Sequence, residues 1–412
     1  MSFSGWKEIK LGNVCEINKS SYSKNDSWEF INYLDTGNIT ENQIDEIKYI
    51  VPGIDKVPSR ARRKVDINDI IYSTVRPNQR HYGIIKSPLK NMLVSTGFVV
   101  ITSNRNEVDS QYLYYYLSQD NIVEMLHMLG EHSTSAYPSI KPSDIENLVI
   151  FLPPLPEQKA IAATLSCLDD KIELNNRINK NLEEMAQAIF RSWFVDFEPF
   201  QDGEFEDSEL GRIPKGWRVG TLKDISKDIV CGKTPYTKEE DNFGNFMLFV
   251  TIPDMHGNVF VLNTERYLSK KGVATQANKT LPKNSVCVSC IATPGLVILT
   301  SEKSQTNQQI NSIICNESIS YYYVFLFLRS YGNEIRNMGS GGSATLNLNK
   351  TEFAKIKLII PDNITINAFH STIQPVFDRI LEGQKENCRL MGLRDTLLPK
   401  LMSGEIIVPM TK

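Results

Sequence analysis

The sequence predicts an α+β chain built as a pseudo-twofold tandem repeat: two similar globular units separated by two long antiparallel coiled-coil helices. Three observations lead there. Residues 139–190 lie over 347–398 without a gap, at a constant offset of 208. Two stretches carry apolar residues alternating at spacings of three and four, the pattern of a helical seam. Between the repeats runs an acidic, aperiodic segment, 201–213 (QDGEFEDSELGRI), with five acids, one arginine and two glycines. It reads as a solvated linker.

The repeat is taken first, because missing one mis-assigns the whole fold. Under the offset, Ile145 meets Phe353, Leu148 meets Ile356 and Pro153 meets Pro361. Asp170-Lys171-Ile172 meets Asp378-Arg379-Ile380, and Leu182, Met185, Ile189 and Phe190 meet Leu390, Leu393, Leu397 and Leu398. Upstream the match is looser. Trp6 to Val14 resembles Trp217 to Ile225, Asp69 to Ser73 resembles Ser285 to Ser289, and the aromatic run 112–117 resembles 321–328.

In order, residues 1–152 form the first globular unit. Its strands are expected at 30–34, 70–74 and 98–102, β-branched or aromatic runs bounded by turn residues, with a helical pattern over 109–128. The first long helix falls in 153–200. Its seam is Ile161, Leu165, Leu168, Ile172, Asn175, Asn179, Leu182, Ala186, Ile189 and Trp193. After the linker, 214–360 repeats the globular pattern, with strands at 247–252, 286–291 and 310–315 and a helix at 319–333. The second long helix falls in 361–412, with a seam of Phe369, Ile373, Val376, Ile380, Gly383, Asn387, Leu390, Arg394, Leu397 and Leu401. Pro375 inside this pattern kinks a helix or delays its start, and Gly383 weakens it. A seam needs a partner, and the simplest partner for each helix is the other. Antiparallel pairing then brings the midpoints Asn179 and Asn387 together as a buried polar layer that fixes register. The opposing reading is two amphipathic helices packing on unrelated cores.

Composition sets the class. The chain has 412 residues, 41% apolar and 23% charged, enough to bury real cores and unlike a disordered or collagen-like chain. The longest apolar stretch, 321–328, is far short of the roughly 20 residues of a membrane span. The first ten residues hold no apolar signal core. Seven scattered cysteines without a signal are expected in a reducing cytoplasm.

Charge is informative by segment. The net charge is −3, but residues 56–90 alone hold nine Lys/Arg against two Asp, and 214–360 carry a net +6. Residues 153–200 carry −3. Positive charge is on the globular units and acid on helix and linker, as expected if the globular units face phosphate. Each basic run also reads as an ordinary solvated strip. The candidate nucleic-acid contacts are Arg60, Arg62, Arg63, Lys64, Arg76 and Arg80 in the first unit, and Lys233, Lys279 and Lys283 in the second. Asn78 and Gln79, and Asn307, Gln308 and Gln309, add carboxamides suited to base edges, against the alternative of simple polar turns. Arg80, beside Asn78 and Gln79, is the strongest base-reading candidate among the arginines.

Catalytic motifs are missing. Gly232-Lys233-Thr234 is not a phosphate loop, because position 227 is Lys rather than Gly. Cys287 and Cys290 form a lone CxxC on an expected strand, whose alternation points the two thiols to opposite faces; the buried apolar reading outweighs zinc. The five histidines are scattered with no HExxH, and neither GxSxG nor GxGxxG occurs. Gly339 to Ser343 is glycine-rich but follows a helix, so it reads as a flexible turn. No Asn-Pro-Pro-aromatic or Asp-Pro-Pro-aromatic segment is found. The chain reads as a binder and organiser.

At LPPLPEQKAIA (152–162), FRSWFVDFEPF (190–200), GRIPKGWRVGTLKDI (211–225) and LRDTLLPKLMSGEI (393–406) the sequence resembles the DNA specificity subunit of type I restriction–modification systems. The resemblance runs the whole chain in order. It implies two target recognition domains, each binding half of a split double-stranded DNA sequence. It also implies helices that set the spacer and dock two methyltransferase subunits, with restriction subunits joining them. Adenine methylation, nuclease action and the groups they use (S-adenosylmethionine, ATP and Mg) would then belong to partner subunits, with no cofactor, catalytic residue or metal in this chain. One departure is Pro361-Asp-Asn-Ile where the first repeat has Pro153-Pro-Leu-Pro-Glu-Gln, which blurs the start of the second helix. Two rivals remain on the residues alone: a duplicated coiled-coil scaffold that binds proteins rather than DNA, and an enzyme with an unfamiliar site.

Overall fold

The computed structural model describes residues 5–23, 25–133, 137–339 and 347–409. The glycine-rich segment ending at Ser343 lies largely outside the described residues. The chain divides into two units, Met1–Lys171 with Leu390–Lys412, and Ile172–Arg389. Each is described by itself.

The first unit is built on two four-stranded sheets. One has the order Cys15–Ile17, Phe98–Ser103, Ile70–Ser73, Tyr82–Ile84, all antiparallel. The other runs Lys48–Ile50, Ile31–Leu34, Met92–Ser95, Ala61–Lys64, with Ile31–Leu34 and Met92–Ser95 parallel. The expected strands are here because their runs are apolar on both faces: every residue of Ile70–Ser73 is buried. The expected helical stretch 109–128 is two helices, Ser110–Ser118 and Asp120–Glu131. Asp109 opens the first by accepting the N–H groups of Gln111 and Tyr112. Gln119 breaks the run with extended backbone, its side chain donating to the Tyr116 carbonyl at 3.1 Å.

The second unit repeats this topology. The sheet Ser226–Cys231, Ile310–Cys315, Val286–Ser289, Val297–Thr300 has the order of its counterpart, extended by Phe260–Val261. The sheet Phe243–Gly244, Tyr267–Leu268, Met247–Val250, Ser304–Thr306 again holds one parallel pair, Met247–Val250 with Ser304–Thr306. The expected strand 247–252 stops early. Thr251 starts the short helix Ile252–Met255, with Asp254 accepting from its N–H and hydroxyl at 2.7 Å each. The helix expected at 319–333 is Tyr321–Ser330, followed by Gly332–Gly339.

The linker reading is corrected. Phe205–Ser208 and Gly211–Pro214 form an antiparallel hairpin. Gly211 closes its turn at φ 97°, and Ser208 donates to the Gly211 carbonyl at 2.6 Å. Glu206 and Asp207 both face solvent, while Phe205 packs against Phe197 and Ile213 enters the core. The acid-rich composition concealed the strands.

The long helices are Leu155–Phe194 and Asn363–Met402, each of 40 residues. The first starts after Pro153-Pro154 and is tied down by Gln158, which is buried. Its amide donates to the carbonyls of Pro153 and Glu107 and accepts the Asp109 N–H. The second starts on Asp362, whose carboxylate accepts the N–H groups of Ile364 and Thr365, the Thr365 hydroxyl and the Trp217 indole N–H at 2.8–3.0 Å. It continues through Pro375, where one helix hydrogen bond is lost. Neighbouring Ile373, Val376 and Phe377 are buried and hold the segment.

Within the second unit the two helices pack antiparallel, but the Asn179–Asn387 pair is corrected. Asn387 accepts from Asn175 at 2.9 Å and donates to Asn176 at 2.7 Å. Asn179 lies instead over Gly383, where a Cβ would come within 2.6 Å of the Asn179 Oδ1. The glycine admits the amide, and this slips the polar layer by one helical turn. Trp193 packs tilted against Phe369, with ring centroids 5.7 Å apart, in the same register. Within the first unit, Asp169 pairs with Arg394 at 3.0 Å and accepts the Tyr115 hydroxyl at 2.6 Å. There Ile161 and Leu165 share a core with Leu401 and Met402.

Candidate nucleic-acid interface

In the first unit the basic run divides between a strand and a hairpin tip. Ala61–Lys64 is an outer strand of its sheet. Arg60 and Arg62 are exposed; the Arg62 Nε lies 3.4 Å from the Ser59 carbonyl. Arg63 is half-buried, with its Nε enclosed and unpartnered among the described residues, and burial pushes its guanidinium below its usual value. Lys64 is held inward by Asp26 at 2.6 Å and lies over the Trp28 ring. Two exposed guanidiniums are thus offered to solvent, and two of the four cations are turned into the unit.

The tip between Ile70–Ser73 and Tyr82–Ile84 carries Arg76, Asn78, Gln79 and Arg80. Pro77–Gln79 is a single turn of 3-10 helix flanked by Arg76 and Arg80, both left-handed at φ 47° and 56°. Arg76 is exposed and stacks over Tyr137 at 4.7 Å. Asn78 and Gln79 are exposed. Arg80 is engaged from within, by Asp120 at 2.6 Å and Glu41 at 3.3 Å. This alters its reading as the foremost base reader: its donors already face two carboxylates. A cavity of about 470 Å³ opens beside it, lined also by Tyr82, Asp169 and Arg394.

In the second unit the candidates gather around one turn. Gly232 follows the strand Ser226–Cys231 directly against Asn307, where a Cβ would sit 2.1 Å from the Asn307 carbonyl. That close approach, rather than phosphate, explains the glycine before Lys233. Lys233 is exposed, its N–H bonded to Thr306 and its carbonyl to the Gln276 amide at 2.7 Å. The Thr234 hydroxyl donates to Gln308 at 2.6 Å. Asn307 and Gln309 hold the turn itself, amide to amide at 2.9 Å, and Asn307 is buried. They are turn-forming residues in this structure, and exposed Gln308 is the one aimed outward. Lys279 is half-buried and Lys283 exposed, on either side of Leu281, which bridges to Ser304. Buried Gln276 and Gln305 join these segments, Gln276 to Gln305 at 2.8 Å and Gln305 to Thr280 at 2.9 Å. Sequence reasoning missed both glutamines, as well as Asp120 and Glu41; nothing in their local pattern separates a structural amide or carboxylate from a solvated one.

Burial pushes the Cys287 and Cys290 thiols up to about 12. Among the described residues no group of three or more His, Cys, Asp or Glu could hold a metal ion, and no helix is long and apolar enough to cross a membrane.

The family model described as type I restriction modification DNA specificity domain matches twice, at residues 4–184 and 214–388, one match for each repeat. The chain belongs to this DNA specificity family. The type I restriction enzyme HindI specificity subunit of Haemophilus influenzae is 34% identical, over 98% of this chain and 100% of that protein. The MjaIX specificity subunit of Methanocaldococcus jannaschii is 29% identical, over 88% and 84%. A solved S subunit of a type I restriction–modification system from M. genitalium shares the fold, with TM-score 0.57, 16% identity and 96% of each chain covered. The repeat read from the sequence is therefore a pair of DNA specificity domains, and each match takes in the greater part of one long helix.

Proposed function

We propose that this chain is the DNA-reading subunit of a type I restriction–modification complex, in which each specificity domain reads one half of a split duplex target. The observation that carries the reading is the double family match laid over two units of one topology. Supporting it, each unit offers both exposed cations and exposed carboxamides: Arg60, Arg62 and Arg76 with Asn78 and Gln79 in the first, and Lys233 and Lys283 with Gln308 in the second. In this proposal the long helices set the spacer and dock two methyltransferase subunits, and restriction subunits complete the assembly in the cytoplasm. Methyl transfer with S-adenosylmethionine and ATP- and Mg-dependent cleavage fall to those partners.

The test is duplex binding by the assembled complex across a salt series. Replacing Arg60 or Arg62 by Ala should lower the slope of log K against log salt by about one each and weaken all sequences alike. An unchanged slope for both, with folding intact, removes the strand Ala61–Lys64 from the interface. No duplex binding by the assembled complex at any salt concentration removes the DNA reading itself.

A further inference from the structure

The hairpin tip of the first unit is fastened on both sides and left open in the middle. On the incoming side, the Arg76 N–H donates to the Pro138 carbonyl at 2.9 Å and its guanidinium covers Tyr137. Thr74 binds the Gly97 carbonyl through both its N–H and its hydroxyl. On the outgoing side, the Arg80 carbonyl accepts the Glu41 N–H at 2.9 Å, its guanidinium meets Asp120 and Glu41, and the His81 Nδ1 meets the Ile39 carbonyl at 2.6 Å. Pro77 is buried between them. Arg76 and Arg80 both adopt the left-handed conformation, which costs a side-chain-bearing residue and persists only where the surroundings impose it. What this fastening presents is the pair Asn78-Gln79, exposed, with neither amide bonded to any described residue.

We propose that Asn78 and Gln79 are the base-reading tip of the first domain, that the base they read is adenine, and that Arg80 is a positioning residue that aims them without touching DNA. This rests on the proposed function above. A carboxamide offers one donor and one acceptor side by side, which matches the N6 and N7 edge of adenine in the major groove. Guanine, with two acceptors there, is matched by a guanidinium instead. The only arginine beside the amides on the outgoing side is neutralised: Arg80 with Glu41 and Asp120 leaves a net charge of −1 at that corner, which does not attract phosphate. The corresponding hairpin of the second domain, Val286–Ser289 with Val297–Thr300, has the tip Cys-Ile-Ala-Thr-Pro-Gly-Leu, without Asn, Gln, Lys or Arg. The device is therefore specific to one half-site.

The experiment selects bound duplexes from a randomised library with the full chain in its assembled complex, and measures the salt slope on the preferred site. With Asn78→Ala and Gln79→Ala together, preference for an A·T pair at one position of one half-site should fall by roughly 10-fold or more, with the slope and the other half-site unchanged. Arg80→Met and Asp120→Asn should each relax that same position, and the double variant should lose no more than either alone. The intact second half-site reports folding in every variant. The inference is overturned if the amide variants leave both half-sites as they were, or if the relaxed position is a G·C pair. It is also overturned if Arg80→Met lowers the slope by about one whether or not Asp120 is present. If the unsubstituted complex selects no sequence, it is the proposed function that fails.

Discussion

Asn179 and Gly383 show how one missing side chain sets a register. The Asn179 Oδ1 is enclosed without a partner among the described residues, resting where an alanine Cβ at 383 would intrude. Alanine is favoured over glycine inside a helix by about 1 kcal/mol, so the two positions oppose each other. Gly383→Ala alone should lower the melting temperature, because the buried amide must move. Combined with Asn179→Ala, it should raise the melting temperature above that of Asn179→Ala by the equivalent of about 1 kcal/mol. Additive effects in this double-mutant cycle would mean the residues do not touch. The sequence named both seam positions, yet it paired Asn179 with Asn387. The alternation of apolar residues specifies a face, and only the packing of a glycine against an amide specifies the layer. The same limit applies at Asn307 and Gln309, where a turn-holding amide and a base-reading amide look alike in sequence.

At the scale of elements, the bodies of the two long helices were legible because their periodicity is long, and strands such as Val286–Ser289 because their runs are largely β-branched and buried. The hairpin after Phe200 was not, since Phe205 is followed by two consecutive exposed acids and no apolar alternation marks the strand. The start of the second long helix was also obscure, and Asp362 explains it. Burial raises its carboxyl, but the bonds from Thr365, Trp217 and Ile364 outweigh burial and hold it below the ordinary aspartate value. A carboxyl lowered in the folded state stabilises above its unfolded value of about 3.9 and loses that contribution as pH falls through the folded value. Asp362→Ala should therefore cost about 1–2 kcal/mol at pH 7, measured by denaturant unfolding. The difference between wild type and variant should begin to shrink as the pH falls below about 3.9 and vanish only once it has passed below the lowered folded value. A difference that persists there would assign the loss to packing rather than to the charged cap.

At the scale of the whole molecule, neither unit is made from one repeat alone. The core of the first unit includes Leu401 and Met402, from the end of the chain. The core of the second includes Ala186, Phe190 and Phe194, from the helix that follows the first domain. A chain cut between Gly203 and Glu204, ahead of the hairpin, should yield fragments that co-purify as a one-to-one complex. Independent, stably folded fragments in size-exclusion chromatography would contradict these cores. The same feature imposes an order in time during synthesis. The second unit, Ile172–Arg389, is continuous in sequence, whereas the first waits for Leu390 and the residues beyond it. At a translation rate of about 5–20 residues per second, that wait is on the order of ten to fifty seconds. Through that interval Ile161 and Leu165 stand uncovered by Leu401, so the domain made first is the last to be finished.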